Sequence, residues 1–337
     1  MSEQNRVHLT TIASWLLAAV ALFIVLHKGL LAALFSGLLV YSLVHVLAPV
    51  LGRNISDQRA RMIAVAILGI VIVLLLSLSV WGAVAFFQSD AGNIGTLFKK
   101  LADILEASRS QMPEWLRSRV PDSAEGLRDL VTAWLREHAA QAQTVGEMAG
   151  RVIAHLLIGM VIGAMAALYD TTVRHDYKPL AAALHARVVT LHQAFRSIVF
   201  AQVRIAALNA VFTAIYLVVV LPLAGIHLPL TKSMIAITFL AGLLPVIGNL
   251  ISNTVIVIVS LSHSLGIAAI SLAFLVLIHK LEYFLNAKII GSHINARAWE
   301  LLAAMLTMEA IFGLPGVVAA PVFYAYVKKE LEDQGLV

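Results

Sequence analysis

Residues Met234–Leu261 read MIAITFLAGLLPVIGNLISNTVIVIVSL, an apolar run interrupted by Gly242, Pro245, Gly248, Asn249, Ser252 and Asn253. A second run, Ala298–Val327, reads AWELLAAMLTMEAIFGLPGVVAAPVFYAYV and is interrupted by Glu309, Gly313, Pro315 and Gly316. A helix rises about 1.5 Å per residue, so each run exceeds what a hydrocarbon core of roughly 30 Å requires. Each is therefore either one long tilted helix or two half-helices meeting at a break. Non-helical backbone at membrane depth is tolerated only where protein or a water-filled cavity satisfies its polar groups. Half-helix ends expose amide and carbonyl dipoles that can hold a solute or ion. Leu243–Asn249 and Phe312–Gly316 thus read as matched hairpin tips, with kinked packing helices as the plainer reading.

The remainder of the chain agrees with a lipid environment. Of 337 residues, 60% are hydrophobic and 13% charged, with a mean hydropathy of +0.90; a soluble domain has about 25% charged residues. The net charge of +5 comes from basic residues in short connections, as expected of loops facing anionic lipid, and does not indicate nucleic acid. With no cysteine, a disulfide framework, thiolate metal sites and a cysteine nucleophile are excluded. The twelve histidines show no metal-ligand spacing, and no Walker loop is present, so no metal, cofactor or ATP is expected. Nor do the membrane runs contain a nucleophile–base pair or paired carboxylates, so an enzyme is not expected.

Outward from the two broken runs, the chain divides as follows. Residues 1–87 hold three spans, Ile12–Leu26, Leu30–Val50 and Met62–Phe87, the first read as retained rather than as a cleaved leader. The first two form a tight hairpin around His27, Lys28 and Gly29. Residues 88–150 are mixed in charge, helical in pattern (Leu97, Leu101, Ile104; Leu127, Leu130, Trp134) and punctuated by Pro113 and Pro121, a small helical insertion outside the membrane. A fourth span fills 151–170, and Gly159-x-x-x-Gly163 on it suits a close helix crossing, within the chain or between subunits. Residues 171–204 form a basic amphipathic linker with Leu180, Leu184, Val188, Leu191, Phe195 and Val199 on one stripe, lying either on the cytoplasmic membrane surface or against its own protein. Residues 205–327 form a C-terminal block containing the broken segments 232–262 and 298–327, and 328–337 is a tail. The fold class is an all-α polytopic membrane protein of about eight membrane segments.

Charge sets the orientation. Loops 52–61 and 171–204 are basic and fall on one side, which places the N-terminus in the cytoplasm and 88–150 outside. The segment Asn286–Arg297 carries Lys288 and Arg297 without an acid. It becomes cytoplasmic only when 232–262 is a re-entrant hairpin opening outward, and the paired-hairpin reading is favoured on that ground.

Several side chains in these runs bear on a site. Glu309 lies midway along an apolar stretch, where an acid costs about 2.5–3.5 kcal/mol to insert, so it reads as a proton or cation carrier or as a hydrogen-bonded buried carboxyl. Asn249, Ser252, Asn253 and Thr254 supply donors and acceptors suited to a polyol or a partly dehydrated cation, with interhelical hydrogen bonding as the alternative. His279, Lys280 and Glu282 read as an interfacial anchor, with a proton relay as the alternative, and Gln202, Arg204 and Asn209 open the fifth span, where they could face the same cavity. The expected solute or ion contacts are Glu309, Asn249, Ser252, Asn253, Pro245, Gly248, Gly313, Pro315 and Gly316.

Pro245-Val246-Ile247-Gly248, Phe312-Gly313-Leu314-Pro315-Gly316 and Ala319-Ala320-Pro321 resemble the matching breaks of the autoinducer-2 exporter family of bacterial membrane transporters, and the layout agrees over nearly the whole chain. The resemblance implies eight membrane segments, a bacterial inner membrane and a homo-oligomer. It also implies export of small polar signals or, for some members, cation/proton exchange. Glu309 departs from the pattern, standing where relatives carry a small or uncharged residue. The expectation is a secondary transporter of a small polar solute driven by an ion gradient. The alternatives are a sodium (or other monovalent cation)/proton antiporter and a non-transporting scaffold acting through 88–150 or 171–204.

Overall fold

The structure, a computed structural model, describes residues 3–51, 57–88, 125, 126, 129, 133, 137, 139–169, 177–243, 247–261, 263–294 and 297–337. Most of the 88–150 insertion, the loop 52–56, the start of the linker at 171–176 and the tip 244–246 lie outside these residues. Among the described residues every regular element is helical. Four stretches are long and apolar enough to cross a bilayer: Leu9–His27, Leu31–Leu51, Glu147–Tyr169 and Pro179–Leu223. The molecule is a multi-pass helical membrane protein.

Helices α1 (Glu3–His27) and α2 (Leu31–Leu51) form the expected tight hairpin. Its turn rests on Gly29, whose φ is +67°, a conformation that costs glycine little and a residue with a Cβ more. The Gly29 N–H donates to the Leu26 carbonyl at 3.1 Å and the Leu30 N–H to the Val25 carbonyl at 2.8 Å. These are the two bonds of a Schellman cap, which satisfies carbonyls that the helix end leaves open. Helices α3 (Asp57–Gln88) and α4 (Ala139–Tyr169) follow.

Residues 171–204 and the fifth span do not separate as the sequence suggested. Helix α5 (Pro179–Ile215) passes residue 204 without a break. It continues through a π-helical turn, Tyr216–Val220, into the short α6, Leu221–Leu223. Pro222 has no N–H to continue the ladder, and the turn before it widens. Leu191 and Phe195 of the stripe are buried beside Leu26, Leu31, Ala319 and Phe323, so that part of α5 packs on its own protein. Val188 stays 59% exposed.

Both broken runs turn back on themselves. Helices α7 (Thr231–Gly242) and α8 (Ile247–Leu261) pack against one another across the 243–246 break. Next comes α9 (Leu265–Ile294), which continues through residues read as a loop after 285. Helices α10 (Ala298–Phe312) and α11 (Leu314–Asp333) form the second pair, and α11 extends past the boundary expected at 327. At about 1.5 Å per residue, α7, α8 and α10 measure roughly 18, 22 and 22 Å, shorter than a core of roughly 30 Å.

The chain divides into two compact units, one of Met1–Ile70, Gly150–Val203 and Leu285–Val337, the other of Val71–Ala149 and Arg204–Phe284. In lipid, apolar burial between helices gives little hydrophobic gain, so close packing and hydrogen bonds must hold helices together. The first unit shows this where α2 crosses α4. A Cβ on Gly159 would collide with the Ala33 carbonyl, and one on Gly163 with the Gly37 carbonyl. Ser36 Oγ reaches the Leu156 carbonyl at 2.9 Å. The glycine pair at 159 and 163 therefore serves a contact within the chain.

Candidate functional site

Hairpin α7/α8 belongs to the second unit. Its close approach depends on Gly248, where a Cβ would run into the Ala241 carbonyl. Asn249, Ser252 and Asn253 follow on α8 at spacings of three and four, which gathers them on one helical face. Ser252 is buried and donates to the Asn249 carbonyl at 3.3 Å. The side-chain oxygen of Asn253 is buried and accepts no hydrogen bond among the described residues. A bare acceptor in such a place costs about 1–3 kcal/mol unless some donor fills it. Thr254 is exposed and bonds back to the Leu250 carbonyl at 2.8 Å. Pro245 lies outside the described residues.

Hairpin α10/α11 belongs to the first unit. Its turn is Gly313, with φ 63° and ψ −146°, a region essentially reserved for glycine. The Gly313 N–H donates to the Glu309 carbonyl at 2.7 Å. Pro315 sits in the first turn of α11, where its missing N–H is not needed. Gly316 is buried, and a Cβ there would meet the Met308 carbonyl. At the open end, Glu300 Oε2 accepts from the Tyr324 hydroxyl, from Lys328 Nζ at 3.2 Å and from the Arg297 N–H at 3.3 Å. Glu309 is exposed on α10, so the buried, hydrogen-bonded carboxyl offered as the plainer reading is not what the structure contains.

Three polar clusters escaped the sequence. In the first unit, Glu330 Oε2 of α11 accepts from Arg187 of α5 and from Trp15 Nε1 of α1 at 3.2 Å. The Arg187 guanidinium lies 5.6 Å from the Trp15 ring centroid. Also in the first unit, Ser42 meets His192 at 2.8 Å and Arg61 meets His45 at 3.1 Å. In the second unit, Ser271 Oγ is 2.9 Å from the Tyr216 hydroxyl and 2.8 Å from Ser260 Oγ, all three buried. Tyr216 opens the π turn and stacks on Phe274 at 3.9 Å. Partners 143 and 315 positions apart leave no local pattern to read. The one available hint was a charged or aromatic residue inside an otherwise apolar helix.

Membrane-spanning helices, two helical hairpins and polar side chains buried among apolar ones define a multi-pass helical membrane protein. The chain belongs to the AI-2E transporter family: the AI-2E family transporter pattern matches residues 11–333, nearly its whole length. No curated protein and no solved structure matches it.

Proposed function

We propose that this chain is a secondary transporter that exports a small polar solute, such as a signalling molecule, at the expense of an ion gradient. The pair of antiparallel hairpins carries the reading. Helices α7, α8 and α10 are too short to cross a bilayer, and the dipoles at such helix ends suit a solute or ion. Asn249, Ser252 and Asn253 with Pro245 and Gly248 are the solute contacts of the first hairpin. Glu309 with Gly313, Pro315 and Gly316 are those of the second. The open acceptor of Asn253 supports a ligand that brings a hydrogen-bond donor or a positive charge. The exposed Glu309 side chain favours, as the second reading, sodium/proton exchange by the same fold.

The charge pattern supports cytoplasmic N- and C-termini, with 88–150 outside, 171–204 inside and 205–327 as the transport block. A bacterial inner membrane and a homo-oligomer are part of the proposal, as the resemblance to the autoinducer-2 exporter family implies. Purified protein in lipid vesicles tests the function, with autoinducer-2 or sodium as cargo under an imposed proton or sodium gradient. Asn253→Leu and Glu309→Gln are each expected to reduce flux at least about tenfold, the cost of roughly 1.4 kcal/mol. Full flux in both variants contradicts the proposed contacts. A phenotype lost only when 88–150 or 171–204 is replaced points to a scaffold.

A further inference from the structure

Two histidines of the first unit are held in opposite tautomers, and only one can accept a proton without losing a bond. Arg61 can only donate, so its Nη1, 3.1 Å from His45 Nε2 and 3.2 Å from the Ala167 carbonyl, spends its hydrogens on both. His45 Nε2 is therefore a lone pair. His45 Nδ1 lies 2.8 Å from the Tyr41 carbonyl, which only accepts, so Nδ1 carries the hydrogen. Both nitrogens are committed in the neutral form, and protonation would turn Nε2 against the guanidinium.

His192 is arranged the other way. Ser42 has one hydroxyl hydrogen, and it goes to the Leu38 carbonyl at 2.7 Å. His192 Nε2, 2.8 Å from Ser42 Oγ, must then be the donor of that pair. This leaves Nδ1 as a lone pair with no hydrogen-bond partner among the described residues. The ring is half-buried, edge-on to Tyr41 with centroids 4.8 Å apart and 6.3 Å from the His45 ring. From α2 it faces Tyr41 and His45, α3 contributes Arg61 through His45, and α5 itself contributes Arg196. None of these is an acid. A proton taken up at Nδ1 keeps the Ser42 bond but stands among cations, so it is bound without being trapped, as a carrier site needs. Glu330 and Glu300 are each already engaged in an ion pair, with Arg187 and Lys328.

We propose that the ion coupled to transport is the proton and that His192 Nδ1 is its binding site, with His45 and Arg61 as positioning residues. This rests on the ion-driven carrier reading. The test has two arms on the full chain in lipid. With ¹⁵N-labelled histidine, the resonance absent from His192→Gln should shift to the protonated form as the pH is lowered, with that absent from His45→Gln as the reference. In vesicles holding a pH-sensitive dye, autoinducer-2 or sodium chloride added outside should move protons in wild type. His192→Gln, whose amide can still donate to Ser42, should lower that movement at least tenfold, with cargo exchange at equal pH retained. A His192 that stays neutral, or wild-type proton movement in His192→Gln, overturns the proposal. A titrating His192 in a chain that moves neither cargo overturns the carrier reading and the coupling with it, leaving only a proton site.

Discussion

Gly313 and the Arg187–Glu330 pair show how much rests on single residues. At Gly313 the backbone sits in a glycine-only region, so Gly313→Ala forces strain of about 1–3 kcal/mol into the hairpin turn. Thermal unfolding in detergent, followed by tryptophan fluorescence, should show the loss, and an unchanged midpoint would mean that another residue makes the turn. Arg187 and Glu330 keep only 12% and 8% of their side-chain surface exposed. Removing one partner strands the other charge. Arg187→Ala is expected to cost about 3–5 kcal/mol, while replacing both by apolar residues of similar volume restores most of that loss. Equal losses in the single and double variants would show that packing, not charge, holds α1, α5 and α11 at this point.

At the scale of the element, the two hairpins were legible because glycine and proline interrupt long apolar runs, and a helix cannot ignore them. The α1/α2 turn at Gly29 was legible for the same reason. The sequence placed a boundary at 204, after Arg196 and Arg204, and helix α5 runs on past it. Charge does not break a helix, however, and no glycine or proline stands between Pro179 and Pro222. The absence of a breaker was the better signal. The Trp15–Arg187–Glu330 and Ser42–His192 contacts were not legible, since they join helices far apart in sequence, whereas Asn249, Ser252 and Asn253 share a face by local spacing alone. The second hairpin makes its own prediction. A continuous helix would put residues 300 and 328 about 42 Å apart, but Lys328 reaches Glu300 at 3.2 Å. Cysteines at both positions should cross-link within one chain through a short bis-maleimide, unobstructed because the chain has no cysteine. Failure to cross-link argues for a rod.

For the whole molecule, helices that turn back on themselves and the transporter proposed from them lead to one prediction: at each hairpin the polypeptide should enter the bilayer and leave by the same face. The first hairpin offers the cleanest check, since Lys232 and His263 are exposed near its two open ends. Single cysteines at 232 and 263, labelled in sealed vesicles with a membrane-impermeant maleimide, should react from one and the same side. Labelling of 232 from one side and 263 from the other would show that the segment crosses the membrane and would contradict the account.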